Sequence, residues 1–300
     1  MTSPNTENIA PPASVGVLGL GDMGLPIASN LHAAGYTVSG FDLRPEQMEA
    51  LEKSGPKAAA SLAKLVGSVD VILCSLPSST AFMKVARDEL LQLTKKGQRV
   101  LETGTTIPAD FREVHREFAD KGVSLNDAPL SGGKFGAEKR RLHVFFGGSE
   151  ADFAAYRPLL AAFAGEDMLH PCGPAGAGQA MKGVNQLKMA FDNAAWLEIL
   201  AFAQHSDLDI NQVASIFAGS RLSEVAQHVI KEHGIDQGVK FRELPYYLEE
   251  ARREGFNLPL THALHAFCER GERIVVDDHR DAPSFWHELT RDRTPQSDSR

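Results

Sequence analysis

The feature that most constrains what this chain folds into is a glycine-rich hexapeptide near its start. Its members are Gly19, Leu20, Gly21, Asp22, Met23 and Gly24. The hexapeptide follows a strand-like apolar stretch that begins at residue 15 and precedes a helix-like stretch, residues 25–34. Glycines at this spacing let the backbone turn tightly and approach a pyrophosphate, whose charge the N-terminus of the helix receives. The pattern and its place therefore predict a dinucleotide-binding βαβ unit, and a glycine-rich turn without a ligand is the alternative.

Asp42 indicates which dinucleotide the loop binds. It follows the second strand-like stretch, 23 positions after Gly19. A carboxylate at this place accepts hydrogen bonds from the adenine ribose hydroxyls of NAD and repels the 2′-phosphate of NADP. Arg44 could bind that phosphate, but it precedes Pro45 and is biased to an extended conformation, over the adenine face or into solvent. We therefore expect NAD as the preferred cofactor, with NADP as the alternative, and contacts from Asp42 and Leu43.

Strand-like and helix-like stretches alternate over the first half of the chain. The predicted strands are residues 15–20, 36–41, 69–76, 99–102, 123–126 and 142–147. The predicted helices are residues 25–34, 46–53, 81–93, 109–120 and 150–162. This alternation predicts a parallel sheet with helices on both faces, with the strand at 142–147 added at its edge.

The pattern changes after a loop rich in glycine and proline, residues 171–178. The stretches that follow are helix-like, at 179–205, 210–218, 223–232, 241–253 and 259–271, with one strand-like stretch at 273–276. We predict an α/β protein in which an N-terminal Rossmann domain is joined by a long helix to an all-α C-terminal domain. The expected divisions are a disordered tail (1–14), a Rossmann domain (15–174), a helical substrate and oligomerisation domain (175–289) and a second disordered tail (290–300).

The long helix at 179–205 bears on assembly. It carries more large apolar residues than one stripe can hold, so it must be covered nearly all round. We expect a homodimer or homotetramer formed through the helical domain.

Composition and charge exclude several classes of function. The net charge of −8 disfavours binding to nucleic acid. No apolar run approaches the roughly 18 residues of a membrane span, and the first fourteen residues lack the features of a signal peptide. An odd number of distant cysteines indicates a reduced, cytoplasmic protein; they are Cys74, Cys172 and Cys268.

Metal binding is not expected either. The eleven histidines include His262 with His265 and His228 with His233, but no carboxylate or cysteine joins either pair at ligand spacing.

Two further groups of residues carry chemistry. Ser131, Gly132 and Gly133 follow the strand at 123–126, where free backbone N–H groups and a hydroxyl could bind a carboxylate. Lys182 and Asn185 stand three positions apart, on one face of the predicted long helix. A partly desolvated lysine there could exchange a proton with a substrate. The alternatives are a common turn for the first group and a solvated helix face for the second.

The three motifs in this order resemble the β-hydroxyacid dehydrogenase family of the 6-phosphogluconate dehydrogenase superfamily, over residues 15–286. That family includes 3-hydroxyisobutyrate dehydrogenases and tartronate semialdehyde reductases. The resemblance implies an NAD(P)-dependent enzyme that moves hydride between nicotinamide and a small anionic 3-hydroxy acid or its semialdehyde. It implies Lys182 as the general acid and base and Asn185 as a substrate ligand. It also places the substrate carboxylate at Ser131, Gly132 and Gly133.

The same resemblance implies further cofactor contacts. Leu76 and Pro77 match a pair that lines the cofactor, and Thr105 matches the threonine of a turn beside the nicotinamide. Arg242 falls where the family has a lysine that reaches the nicotinamide region. Lys134 stands where the family has a small neutral residue, and it either faces water or meets a second anionic group of the substrate.

Two other functions fit parts of this pattern. An imine reductase would share the fold but lack the lysine at position 182. A dinucleotide-binding module without catalytic activity would share the glycine loop, because a fold does not by itself determine function.

Overall fold

The computed structural model describes residues 7–232 and 242–270. This part of the chain contains nine strands in one sheet. They are β1 (Ser14–Leu18), β2 (Thr37–Phe41), β3 (Lys57–Ala58), β4 (Val71–Cys74), β5 (Arg99–Glu102), β6 (Ser124–Asp127), β7 (Leu130–Ser131), β8 (His143–Gly147) and β9 (Leu169–Gly173). The first six are parallel and lie in the order β3-β2-β1-β4-β5-β6. This is the strand order of a doubly wound dinucleotide-binding sheet, so the predicted fold class is confirmed.

Helices cover both faces of the sheet. They are α1 (Gly24–Ala33), α2 (Pro45–Lys53), α3 (Leu62–Gly67), α4 (Ser79–Val85), α5 (Leu91–Leu93), α6 (Pro108–Asp120), α7 (Gly133–Glu138) and α8 (Glu150–Ala164). Because strand side chains alternate, the central strands β1, β4 and β5 each contribute to two apolar clusters. Val15 and Val17 of β1 pack with α1 and α8 on one face, whereas Ile72 and Cys74 of β4 pack with α4 and α6 on the other.

The remaining described elements are helical. They are α9 (Ala177–His205), α10 (Ile210–Ile216), α11 (Arg221–Glu232), α12 (Leu244–Glu254) and α13 (Pro259–Glu269). The chain divides into two compact units, and the division falls inside α9, after Gly183. Leu197 and Leu200 of α9 belong to the apolar core of the second unit. Among the described residues, no helix is both long and apolar enough to cross a membrane.

The tail predicted over residues 1–14 is wrong for residues 7–14. The side chain of Ile9 is buried, and its backbone N–H donates to Ala155 O at 2.9 Å. The backbone oxygen of Ile9 accepts a hydrogen bond from Tyr36 Oη at 3.0 Å. Strand β1 begins at Ser14. No apolar periodicity marks this segment in the sequence, because one large apolar side chain and backbone hydrogen bonds hold it in place.

Several element boundaries also differ from the prediction. The strand predicted at the edge of the sheet is β8, which lies inside it, since β6 and β7 pair with it antiparallel and β9 pairs with it in parallel. The loop predicted at 171–178 begins within β9, and α9 starts two residues earlier than predicted. A π-helical turn, Ala86–Leu90, interrupts the helix predicted at 81–93. The predicted strand at 273–276 and the tail at 290–300 lie outside the described residues.

Five short elements were not predicted: β3, β7, β9, α3 and α7. Each has between two and six residues, too few for an apolar period to show in the sequence.

Candidate active site

The glycine loop between β1 and α1 requires its first and last glycines. Gly19 has φ +89°, and a Cβ there would lie 2.3 Å from Ser75 O. A Cβ on Gly24 would lie 1.9 Å from Gly19 O. Gly21 differs, because within the described chain an added Cβ would meet only the Arg44 guanidinium, at 3.7 Å. The backbone at Gly21 is therefore open to a ligand on its outer side.

The start of α1 is suited to an anion. The residue that caps it is Met23, which makes no side-chain capping hydrogen bond, and the first turn carries no acidic residue. Helix N-terminal N–H groups that no side chain satisfies favour a phosphate or carboxylate.

An open cleft of about 1550 Å³ lies in front of this loop, within the first unit. The glycine loop, including Asp22 and Met23, forms one wall. Other lining residues come from the ends of β2 and β4 and from α7; they include Asp42, Leu43, Leu76, Pro77 and Lys134. The structure thus brings together most of the residues expected to contact a dinucleotide, at the carboxyl ends of parallel strands.

Asp42 is fixed by hydrogen bonds from two directions. Its Oδ2 accepts from the backbone N–H of Leu20 at 2.8 Å, and its Oδ1 accepts from the backbone N–H and Nε of Arg44, at 2.9 and 3.0 Å. Burial raises the pKa of Asp42, but the hydrogen bonds from Arg44 and Leu20 outweigh it and hold the pKa below its usual value. The guanidinium of Arg44 turns back to pair with Asp42, a contact that was not predicted, while 52% of the side chain remains exposed to solvent. Its course over the adenine face stays a prediction.

These observations fit an NAD(P) cofactor. Gly19 has a positive φ, Gly24 lies in close contact with it, and no side chain caps the N-terminus of α1, so the loop can hold a pyrophosphate. The oriented carboxylate of Asp42, at the end of β2, can accept hydrogen bonds from a ribose.

Lys182 lies near the start of α9, within the first unit, and its side chain is 5% exposed. Its Nζ donates to Leu130 O at 2.6 Å. Leu130 immediately precedes Ser131, so the amine is held at the base of the loop that the sequence assigns to the substrate carboxylate. That loop turns through Gly132 and Gly133, whose φ angles are +140° and +60°.

Asp127, at the end of β6, is a buried carboxylate near Lys182 that the sequence analysis did not single out. Its carboxylate is completely buried and accepts hydrogen bonds from the backbone N–H groups of Gly176 and Gln179, each at 2.7 Å. Burial raises the pKa of Asp127 to about 6, against the effect of these hydrogen bonds. The carboxylate therefore anchors the start of the helix that carries Lys182.

Gln179 ties the same helix to a second loop. Its side-chain oxygen accepts from Thr106 N–H at 2.9 Å, and its Nε2 donates to Gly104 O at 3.0 Å. Below this loop the buried Glu102 accepts from Gly104 N–H at 3.0 Å, and burial raises its pKa well above the usual value. The sequence signal for Asp127 and Glu102 was their place at the ends of adjacent parallel strands.

Three other predicted site residues occupy separate places. Thr105 is half-buried in the loop after β5, and within the described chain it is not among the residues that line the cleft. Asn185 lies in the second unit, where its Nδ2 donates to Gln186 Oε1 at 3.0 Å. Arg242 is exposed in the turn before α12. The roles of these residues stay predictions.

The described residues contain no group of three or more His, Cys, Asp or Glu side chains placed to hold a metal ion. On α13, Nε2 of His265 lies 3.5 Å from Oε1 of Glu269. His233 lies outside the described residues.

Profiles of known families match both parts of the chain. The NAD-binding domain of 6-phosphogluconate dehydrogenase matches residues 14–173. The NAD-binding profile of NADP-dependent 3-hydroxyisobutyrate dehydrogenase matches residues 176–282. Binding of NAD(P) is thus supported by both profiles, independently of the geometry of the cleft.

Individual proteins resemble the chain over most of its length. The NAD-dependent L-serine dehydrogenase of Pseudomonas aeruginosa is 34% identical over 208 residues, which cover 69% of each chain. The 2-(hydroxymethyl)glutarate dehydrogenase of Eubacterium barkeri is 29% identical over 289 residues, 92% of this chain and 95% of the relative.

Solved structures also resemble the chain over most of its length. The 3-hydroxyisobutyrate dehydrogenase of Mycobacterium tuberculosis, solved with L-serine, has a TM-score of 0.79 at 25% identity, covering 94% of this chain and 99% of that one. An imine reductase from Myxococcus stipitatus has a TM-score of 0.63 at 17% identity, over 93% and 98% of the two chains. The second likeness extends to the fold alone.

Proposed function

Because the chain belongs to the β-hydroxyacid dehydrogenase family of NAD(P)-dependent hydroxyacid oxidoreductases, we propose that it oxidises a small 3-hydroxy acid. In this reaction Lys182 is the general base. The observation that carries this proposal is the burial of Lys182 with its Nζ 2.6 Å from Leu130 O, beside the Ser131 loop. A buried amine held by a neutral carbonyl oxygen, at the foot of the loop proposed to hold the carboxylate, is placed to exchange a proton with a bound alcohol.

Each proposed residue has one task in this reaction. The amine of Lys182 takes the hydroxyl proton as the C–H hydride leaves, and the alcohol becomes a carbonyl; reduction of a semialdehyde reverses these transfers. The nicotinamide, when bound, accepts or returns the hydride. Ser131 and the N–H groups of Gly132 and Gly133 hold the carboxylate, and Asn185 orients the reacting oxygen. Holding both ends of a small substrate sets the reacting distance.

The relatives support the choice of substrate class. Their names specify L-serine, 3-hydroxyisobutyrate and 2-(hydroxymethyl)glutarate. These compounds share a hydroxymethyl group on the carbon next to a carboxylate. We propose a substrate with this 3-hydroxy acid unit.

The experiment is a panel of 3-hydroxy acids and the matching semialdehydes, run with NAD(H) and NADP(H) and followed by the absorbance of the reduced cofactor. Turnover of at least one 3-hydroxy acid and its semialdehyde is expected. Turnover of cyclic imines alone would favour an imine reductase, and binding of the cofactor without any turnover would favour a non-catalytic module.

We propose a preference for NAD over NADP. It is supported by Asp42, whose carboxylate is fixed at the end of β2 by Leu20 N–H and would lie close to a 2′-phosphate. We expect kcat/KM to favour NAD by at least about tenfold, a difference of about 1.4 kcal/mol. In Asp42→Ala the guanidinium of Arg44 loses its partner and becomes available to a phosphate, so the preference should narrow or invert. A preference of the unmodified enzyme for NADP would contradict the assignment.

We also propose a homodimer or homotetramer that assembles through the helical unit. On α9, Leu197 and Leu200 are buried, but Ile199 and Phe202 are 43% and 72% exposed, and Ile216 on α10 is 67% exposed. Burial of such side chains against a second copy would remove them from water. Light scattering at micromolar concentration should give a mass above 32.5 kDa, and a mass near that value would contradict the proposal.

A cytoplasmic location is supported by the three cysteines, which are free thiols.

A further inference from the structure

Two charged side chains from distant parts of the sequence meet at the mouth of the cleft. Lys134, in the first turn of α7, places its Nζ 3.7 Å from Oδ1 of Asp22 in the glycine loop. The side chains are 62% and 80% exposed, so their attraction adds little to the stability of the fold. What the pair does is hold a cation in front of the loop at which a pyrophosphate would bind.

The position of Lys134 is set by a second contact. The side chain of Asn30 on α1 donates from Nδ2 to Ala137 O of α7 at 2.8 Å. Lys134 lies about one turn before Ala137, and the start of α1 lies fewer than two turns before Asn30. The hydrogen bond therefore fixes α7 alongside α1 and keeps the lysine near the N-terminal turn of that helix.

The ionisable side chains that line the cleft are mostly acidic. Its lining contains two cationic side chains, Arg44 and Lys134, among the residues that the structure describes. The lining also contains acidic side chains; they are Asp22, Asp42, Asp88, Glu89 and Glu138. The guanidinium of Arg44 is committed to Asp42 by hydrogen bonds of 3.0 and 3.2 Å. A pyrophosphate at the glycine loop would meet the exposed carboxylate of Asp22, and Lys134, with its Nζ 3.7 Å from that carboxylate, is placed to offset both charges.

We propose that Lys134 is a cofactor-binding residue, whose ammonium binds the pyrophosphate of the dinucleotide opposite the N-terminus of α1. The lysine shifts from Asp22 towards the phosphates when the cleft is filled, and in the empty protein it offsets the charge of Asp22. This goes beyond the proposed function and rests only on binding of a dinucleotide in the cleft. It also replaces both earlier interpretations of Lys134, as a solvated residue or as a ligand of the substrate.

The test compares Lys134→Met with Lys139→Met, measured by fluorescence titration with NADH. Lys139 caps the other end of the same helix, is exposed and does not belong to the cleft lining, so the control makes the same change of net charge. We expect K134M to weaken NADH binding about 5- to 20-fold, and K139M by less than about twofold. Lys134→Arg should bind NADH within about threefold of the unmodified protein, because it keeps the charge.

A competition experiment locates the contact. The inhibition constant of ADP, which carries a pyrophosphate, should rise in K134M by the same factor as the Kd of NADH. The inhibition constant of adenosine, which has no phosphate, should be unchanged. The difference between K134M and unmodified protein should shrink as the salt concentration rises.

The proposal is overturned if K134M binds NADH and ADP as tightly as K139M does. It is also overturned if the only change in K134M is a higher KM for the hydroxy acid, because the lysine would then contact the substrate. Binding is measured without turnover, so failure of every hydroxy acid to react would refute the proposed function and leave this test intact. Thermal melting of K134M and K134R checks that both variants fold.

Discussion

Replacing Asp127 by asparagine should change how the stability of the first unit depends on pH. The carboxylate is fully buried between the end of β6 and the start of α9. Burial favours its neutral form, whereas backbone N–H donors, first among them those of Gly176 and Gln179, favour the charged form. The raised pKa, about 6 against 3.8 for an ordinary aspartate, shows that burial is the larger effect.

The magnitude follows from the difference between these two pKa values. Because the folded protein holds the proton more tightly than the unfolded chain, the stabilisation from this group is complete below about pH 3.8. It is lost as the pH rises through about 6. About two pKa units at about 1.4 kcal/mol each give a loss of about 3 kcal/mol. Asparagine does not titrate, and its amide nitrogen cannot accept from the N–H groups that face one carboxylate oxygen, which costs about 1–3 kcal/mol.

The free energy of unfolding of the unmodified protein should therefore fall, relative to that of Asp127→Asn, as the pH rises. Urea unfolding followed by far-ultraviolet circular dichroism, at several pH values between 4 and 7, measures the difference between the two free energies of unfolding. Tryptophan fluorescence is unsuitable because both tryptophans follow residue 183 and so do not report on the first unit. We expect the free energy of unfolding of the unmodified protein, minus that of Asp127→Asn, to fall by about 2.5 kcal/mol over this range. A constant difference would refute the reasoning. A difference that grows with pH would mean that the N–H donors outweigh burial.

Other substitutions test the loop and the N-terminal segment. Gly24→Ala should destabilise the fold by more than about 2 kcal/mol in urea unfolding, because its Cβ would lie 1.9 Å from Gly19 O; unchanged stability would contradict the packing. Gly21→Ala should leave stability within about 0.5 kcal/mol but weaken NADH binding in a fluorescence titration, since its Cβ faces the cleft; unchanged affinity would show that the cofactor does not approach this residue. Ile9→Ala should cost about 2–4 kcal/mol in the same unfolding assay, and a cost under about 0.5 kcal/mol would mean that residues 7–14 do not belong to the core.

The sequence was informative where the physical signal is local and repeated. The glycine spacing and the alternation of strands with helices sufficed for the Rossmann sheet and for the place of Asp42 at its edge. Residues 7–14 were misjudged because Ile9 is the one large apolar side chain that anchors them. The strand at 142–147 was predicted at the edge of the sheet, because its pairing with β9 depends on a segment whose proline and glycine resemble a loop.

The candidate site shows the same limit. Lys182 and Ser131 were identified by motif, but the hydrogen bond from Lys182 to Leu130 O depends on how α9 packs against β7. The pairing of Arg44 with Asp42 was missed because the bias of a residue before proline describes the backbone and leaves the guanidinium free to turn back. Lys134 was ambiguous for a related reason, since its neighbour Asp22 is more than a hundred residues away in the sequence.

The most direct test of the proposed chemistry is the kcat of Lys182→Ala with a 3-hydroxy acid that the unmodified enzyme oxidises, measured at saturating NAD. Removal of the general base should lower kcat about 100- to 10,000-fold. The Kd for NADH should stay within about threefold, because in this account the amine binds Leu130 O and the substrate and does not contact the phosphates. A variant that keeps more than about a tenth of the original kcat would have lost less than about 1.4 kcal/mol of transition-state stabilisation, and Lys182 would not be the base.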